Sequence, residues 1–465
     1  MLRIESSLVS FQRRFALVLA LAGIPVSASA AFFQIAENSA SGIGNAFAGG
    51  AAIAEDASTV WYNPAGMTRL KDRQLVVSGH YIYPSFNATV VSASTTTGSP
   101  IGGGGGGAGE PALVPNLYAT YPVGSRFALG AGINAPYGLA TEYESTWAGR
   151  YHALRSDIKT VNVNLAGAFM LDDRLSGGAG VNYQHLDAEL TQAVDFVTLC
   201  TVGALLGIPG ASNCGAGGGF SHPNNPNDGK GSVTAAGNAW GYNLGLLAQL
   251  GDTRIGLAYR SKMKYKLNGD FDIDAPPSVP NALLTDPRFR LVDSKAKAEV
   301  VLPSTLSLSA YAELGSRWAV MADVTRTGWK DLPELRIMFD SGQADSVVTL
   351  NLKNAYRYSL GATYKPNDSL VLRAGLALDQ SPVTSSSDRT PRLPDSNRRW
   401  LTVGAGLQAA PKLNLDFGYA YIKLDNSGVT KTAGGTGTEN FSRGNLSVDY
   451  KGSVQILSAQ ARWLF

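Results

Sequence analysis

The amino-acid sequence predicts an all-β fold: a transmembrane antiparallel β-barrel of about 14 strands with an N-terminal hatch. Three observations carry that expectation. The first 30 residues have the form of an export signal, and no later uncharged stretch is long enough for a spanning helix. Apolar and polar residues then alternate with period two in segment after segment. The connections between those segments are short and long by turns, as they are in a barrel with tight turns at one rim and loops at the other.

The export signal comes first in the chain. Arg3, Arg13 and Arg14 flank an uncharged run at 15–24 (FALVLALAGI), and Ala28-Ser29-Ala30 supplies a small-residue cleavage pattern. Cleavage is expected after Ala30, leaving a mature chain from Ala31. The apolar run falls short of the roughly 20 residues a helix needs to span the bilayer. Composition agrees with many strands and large loops: 53 of 465 residues are glycine, above the usual share of about 7%, and only 16% are charged, below the usual ~25%. With 39 basic and 36 acidic residues, net charge is +3, and no basic tract marks a nucleic-acid surface.

Strands follow from the alternation. At the C-terminus Leu457, Ala459, Ala461, Trp463 and Phe465 share one face, and Ser458, Gln460 and Arg462 the other. The same pattern places strands near 72–91, 112–121, 126–134, 157–170, 174–194, 240–249, 254–272, 299–313, 318–340, 347–364, 370–381, 398–409, 413–424 and 453–465. Short turns are expected at 122–125, 171–173, 250–253, 314–317, 365–369 and 410–412, and long excursions at 92–111, 135–156, 195–239, 273–298, 382–397 and 425–452. The connection at 341–346 is the one outer link hardly longer than a turn. An even strand count puts both termini on the short-turn, periplasmic side. Phe465, closing an alternating strand, fits the same class.

Residues 31–71 show neither helical nor strand period and are rich in small residues. A barrel of this size leaves a lumen its own side chains do not fill, so this segment is expected to plug it, with the barrel occupying 72–465. Cys200 and Cys214 lie in one glycine-rich loop of an exported chain, where a short disulfide is expected. They make a poor metal site, having no His or carboxylate cluster beside them. With four histidines (His80, His152, His185, His222) and no G-x-S-x-G elbow, an enzyme is not expected, and neither is a cofactor or a metal.

Several stretches resemble the FadL family of outer-membrane transporters for long-chain fatty acids and hydrocarbons. They are Ser41-Gly42-Ile43-Gly44, Asp56-Ala57-Ser58 and Asn63-Pro64-Ala65 in the hatch, then Tyr137-Gly138-Leu139-Ala140-Thr141-Glu142 and Trp147-Ala148-Gly149-Arg150-Tyr151. Further on come Tyr259-Arg260-Ser261, Ala355-Tyr356-Arg357, Asp379-Gln380-Ser381-Pro382-Val383 and Arg389-Thr390-Pro391-Arg392-Leu393-Pro394-Asp395. The ordered set spans the mature chain.

The resemblance implies capture of a hydrophobic ligand among extracellular loops, transfer to a tighter pocket by the hatch, and sideways release through a gap at a kink in the third strand. A monomer in outer-membrane lipid is expected. Asn63-Pro64-Ala65 matches the hatch motif and is assigned the plug surface facing the kink; a plain β-turn is the alternative. Phe33 resembles a pocket-lining aromatic, or else packs generally within the plug. Gly138 falls near the kink. Lys353 resembles a basic residue that faces a ligand carboxylate; a lysine paired with a lumen acid is the alternative. A second basic position in the family falls near Gln192, whose missing charge leaves room for aromatic hydrocarbons beside fatty acids. A general porin is the remaining reading, and the plug argues against it.

Overall fold

The computed structural model describes residues 32–215, 228–435 and 437–465. The expected export signal at 1–30 and its expected cleavage site lie outside them.

Fourteen antiparallel strands close into one barrel. They are β1 (Gln74–Ser94), β2 (Ala112–Val123), β3 (Phe127–Asn134 with Gly138–Glu142), β4 (Arg155–Met170), β5 (Leu175–Asp195) and β6 (Asp228–Leu250). Next come β7 (Thr253–Arg260 with Met263–Asp274), β8 (Ser294–Leu302 with Thr305–Leu314), β9 (Trp318–Thr327 with Glu334–Phe339) and β10 (Ser346–Thr349 with Ala355–Asn367). The last are β11 (Leu370–Asp379), β12 (Arg398–Ala410), β13 (Leu413–Leu424) and β14 (Asn445–Leu464). Closure is made by β1 on β14, from Gln74 opposite Leu464 to Ser94 opposite Asn445. Apart from one interruption beside β3, closing the sheet leaves no free edge in the hydrocarbon, where an unpaired backbone group would cost several kcal/mol.

The period-two pattern decides which face meets lipid. On β14 Leu457 is 60% exposed while Ser458 and Gln460 are buried, so the apolar row points outward and the polar row inward. Tyr121, Phe127, Trp318, Trp463 and Phe465 form an outward aromatic rim near the short turns, and Tyr83, Tyr183 and Trp240 a second one higher up. Gly124, Gly251 and Gly315 take φ of 65°, 62° and 73° in those short turns, a region that costs other residues strain.

The hatch fills the short-turn end. It folds as α1 (Ala40–Gly44), α2 (Gly50–Ile53), α3 (Thr59–Tyr62) and a 3₁₀ turn, Pro64–Arg69. Inward glycines let its backbone lie against the wall: a Cβ on Gly256 would meet the Ala51 carbonyl oxygen at 1.8 Å, and one on Gly375 the Asn45 carbonyl carbon at 2.3 Å. Charge fastens it further. Arg373 pairs with Glu55 of the hatch and with Asp416 at 2.8 Å, and Gln460 donates to Asp56 at 2.8 Å. Burial pushes the Asp56 carboxyl up, but Arg462 and the bonds from Ser58 and Ser41 outweigh it and hold it below its usual value.

Some boundaries differ from the sequence pattern. β6 begins at Asp228 and β14 at Asn445, well ahead of the expected 240 and 453. These ends lie on the long-loop side and carry no regular apolar row, so the alternation fades while the pairing continues. β3 likewise runs on to Glu142 instead of ending at 134. A helix, α4 (Phe196–Leu205), lies in the connection read as a loop, capped by Asp195, whose side chain accepts from Thr198 N at 3.0 Å. Cys200 and Cys214 are joined there, with Cα atoms 5.6 Å apart.

Candidate functional site

The wall is interrupted beside β3. Its lower half pairs with β2 up to Leu117 opposite Ile133, while its upper half, from Gly138, pairs only with β4 among the long strands. Between the halves, Ala135-Pro136-Tyr137 leaves the ladder. Its backbone turns to the hatch: Ile35 N donates to Pro136 O at 2.8 Å and Gly138 N donates to Phe33 O at 3.0 Å. Higher up, Glu110 N donates to Ala140 O at 3.3 Å, which closes the wall again. The result is a bounded window between β2 and β3, roughly 20 Å of strand length at the usual rise. Pro136 suits the break because it has no N–H to pair. A Cβ on Gly138 would lie 2.8 Å from Ile35 Cδ1, so glycine there permits close approach of the hatch.

Two cavities meet at an aromatic cluster inside the barrel. The lower, about 500 Å³, is bordered by both sides of the window, Leu113 to Pro115 and Tyr137 to Leu139, and by Trp61 and Pro64 of the hatch. The upper, about 90 Å³, is walled by Leu186, Leu190, Val233, Leu335, Ile337 and Val348 among others. Phe32 and Phe33 line both. Their rings lie 5.3 Å apart, each 5.1 Å from Trp329, and Phe33 is 5.9 Å from Tyr137. Phe32 holds φ at 48°, unusual for a bulky residue, and Arg398 Nη2 fixes its carbonyl at 2.8 Å.

The charges are distributed unevenly. Arg398 of the lower cavity pairs with Asp395 at 2.8 Å. Burial raises the Glu37 carboxyl above its usual value, against Arg357 and Arg398, which lower it. The upper cavity carries one cationic residue, Arg392, which is buried. Its guanidinium donates to Arg155 O at 3.3 Å, Ser156 Oγ at 3.2 Å, Thr191 O at 3.2 Å and Gln192 Oε1 at 2.9 Å, all neutral. Burial, with Arg443 nearby, pulls it down to about 9.

The structure distributes the sequence candidates as follows. Phe33 stands at the junction of the cavities, and Gly138 on the window rim. Asn63 is fully buried, donates to Ala51 O at 2.6 Å and Leu246 O at 3.0 Å, and caps Ala65 N at 3.1 Å. Asn63-Pro64-Ala65 therefore packs on β5 and β6, against Gly178 and Gly245, and the hatch segment facing Gly138 is Phe33 to Ile35. That corrects the expected position of the motif: its asparagine is used up in fastening the plug.

Lys353 needs the larger correction. It is exposed and lines neither cavity, because β10 breaks between Thr349 and Ala355 and carries it outside. Arg357, four residues on, lines the lower cavity instead. The sequence pattern does not single out Trp329 or Arg392. Trp329 sits in a break between the halves of β9, where periodicity carries no information, and Arg392 was visible only as a cation inside a matched motif.

A closed barrel with a hatch, internal cavities meeting at an aromatic cluster and an opening in its side belongs to the class of plugged outer-membrane transport proteins. The chain belongs to the outer membrane protein transport protein family (OMPP1/FadL/TodX), whose family model matches residues 21–465. It is 34% identical to outer membrane protein P1 of Haemophilus influenzae over 426 residues, 88% of each chain. It is 30% identical to the long-chain fatty acid transport protein of Escherichia coli K12 over 412 residues, 88% of this chain and 91% of that one. Among solved structures, a Pseudomonas aeruginosa FadL homologue superposes with a TM-score of 0.83 at 24% identity, covering 94% of this chain and 100% of that one. The Pseudomonas putida toluene transporter TodX gives 0.63 at 17% identity, with 88% and 94% covered; these two likenesses bear on the fold.

Proposed function

We propose that this protein takes up long-chain carboxylate amphiphiles passively and releases them sideways into the outer membrane. The window between β2 and β3 carries the proposal: it borders the larger cavity, and the hatch lies across the alternative path. A hydrocarbon chain gains about 0.8 kcal/mol per buried CH₂, so a side opening onto lipid is a downhill route, whereas the aqueous periplasm is not. In this reading the short-turn end, with both termini and the hatch, faces the periplasm. The hatch comprises residues 31–71 and the barrel 72–465. The lining of Phe33, Gly138 at the rim, and the fastening role of Asn63, Pro64 and Ala65 are parts of the same proposal.

Arg392 favours a carboxylate over a neutral hydrocarbon. A buried guanidinium with only neutral acceptors is costly until an anion joins it. Its bond to Gln192 supplies from a loop the charge that position 192 lacks. Uptake of aromatic hydrocarbons is the second reading, favoured by the ring cluster of Phe32, Phe33, Tyr137 and Trp329. Growth of a deletion strain on oleate or toluene as sole carbon source separates the two. The gene should restore growth on oleate; restoration on toluene alone would replace the first reading with the second.

A further inference from the structure

Most arginines inside the membrane-embedded part of this barrel have an acid to answer them. Arg373 has Glu55 and Asp416, Arg254 has Glu313 at 3.8 Å, and Arg398 has Asp395. Arg357 bonds Ala46 O at 3.0 Å and lies in the field of Glu37 and Asp379. Arg260 differs. It sits at the end of the lower half of β7 and lines the lower cavity. Its Nη1 donates to Asn182 Oδ1 at 3.1 Å, its Nη2 to the Trp61 carbonyl, and its guanidinium carbon rests 3.2 Å from the centre of the Trp61 ring. Among the described residues it makes no ion pair, and the titratable groups acting on it are the hydroxyls of Tyr137 and Tyr118.

A cation at membrane depth is expensive, faces a cavity or a partner, and marks a pathway more often than not. Fastening the hatch to β5 explains the bonds to Trp61 and Asn182, and the Trp61 ring answers part of the charge by a cation–π contact. Neither explains a full charge that no acid among the described residues reaches within ion-pair distance: of the carboxylates lining the same cavity, Asp157 is held by Arg155 and Lys159, Asp395 by Arg398, and Asp379 and Glu37 lie in the fields of Arg357 and Arg398. Tyr137, in the break of β3, is one of the two tyrosines acting on Arg260, and it also borders the window. The cavity beside Arg260 leaves room for an anionic partner.

We propose that Arg260 is an inner docking point for the carboxylate of an amphiphilic ligand, distinct from Arg392, holding the head group in the lower cavity while the chain faces the window. The inference rests on the uptake reading above and adds a second head-group position to it. Two cationic stations, one on each side of the Phe32–Phe33 pair, give the carboxylate somewhere to go when it leaves the first.

The test compares oleate with oleyl alcohol, which has the same chain and no charge, by equilibrium binding to the purified full-length protein. Wild type should prefer oleate. Arg392→Gln should keep a preference of about tenfold or more, and Arg392→Gln/Arg260→Gln should lose it to within about twofold; each such step is the loss of one charge-assisted contact. Arg260→Lys in the Arg392→Gln background should restore it, which a merely structural role would not do. Heat-modifiable gel mobility checks that every variant is folded. A preference already absent in Arg392→Gln, one surviving in the double variant, or equal loss of both ligands would overturn the proposal. Failure of wild type to bind either ligand would instead sink the uptake reading itself.

Discussion

Arg392 and Lys353 are both cations in or near outer connections, and their surroundings separate them. Arg392 is buried against an apolar cavity wall, while Lys353 is solvated. A charge contributes to binding in proportion to how far water is excluded around it. Arg392→Gln should therefore weaken oleate binding by roughly ten- to a hundredfold, the worth of one charge-assisted contact, and leave toluene within about twofold. Lys353→Ala should change neither. Isothermal titration with both ligands checks the pair, and loss of oleate binding in Lys353→Ala would return the head group to the position its neighbour motif suggested. That motif, Ala355-Tyr356-Arg357, was legible in the sequence and does lie in a barrel strand. What could not be read was the break just before it: Leu350 to Asn354 leaves the ladder, so counting by twos across it gives the wrong side.

At the level of elements, alternation found the strands because each must offer one row to lipid and the other to a polar lumen or hatch. It said little where that demand lapses. The outer ends of β6 and β14, the paired halves of β7 to β10 and the break in β3 all lie where packing on loops or hatch replaces lipid as the neighbour. The helix α4 was hidden for a related reason: its run of Val, Leu and Cys is apolar on most sides, packed on Val279 and Leu283 of the next loop. The disulfide holds this loop unit. Cys200 and Cys214 are 14 positions apart, and closing such a loop is worth about 3 kcal/mol in the chain-entropy account. That stabilisation is local, because the barrel ladder does not pass through it. Cys200→Ser/Cys214→Ser should raise the rate of protease cleavage near α4 by about tenfold or more while the barrel's thermal transition stays put. A lowered barrel transition would mean that the loop unit is part of the cooperative core.

For the whole molecule, the architecture solves two conflicting demands. A barrel must be closed to survive in hydrocarbon, yet in the proposed route a hydrophobic cargo leaves through its side. The structure meets both by turning the three-residue break of β3 inward, so that the Phe33–Ile35 segment of the hatch satisfies the backbone the wall gives up. The hatch is accordingly more than a stopper: it completes the rim of the window. At Gly138 the hatch and the wall lie close together, and the collision a side chain would make there is with the tip of Ile35, which can shift a little. Gly138→Ala should be tolerated for that reason, whereas Gly138→Phe should fill the rim. The most direct test is the initial rate of labelled oleate uptake by cells carrying Gly138→Phe, scaled to folded protein in the outer membrane. Release through the window predicts a rate about tenfold or more below wild type, with Gly138→Ala close to wild type, since a ring cannot be absorbed where a methyl can. Uptake at the wild-type rate in Gly138→Phe would contradict sideways release and send the ligand past the hatch.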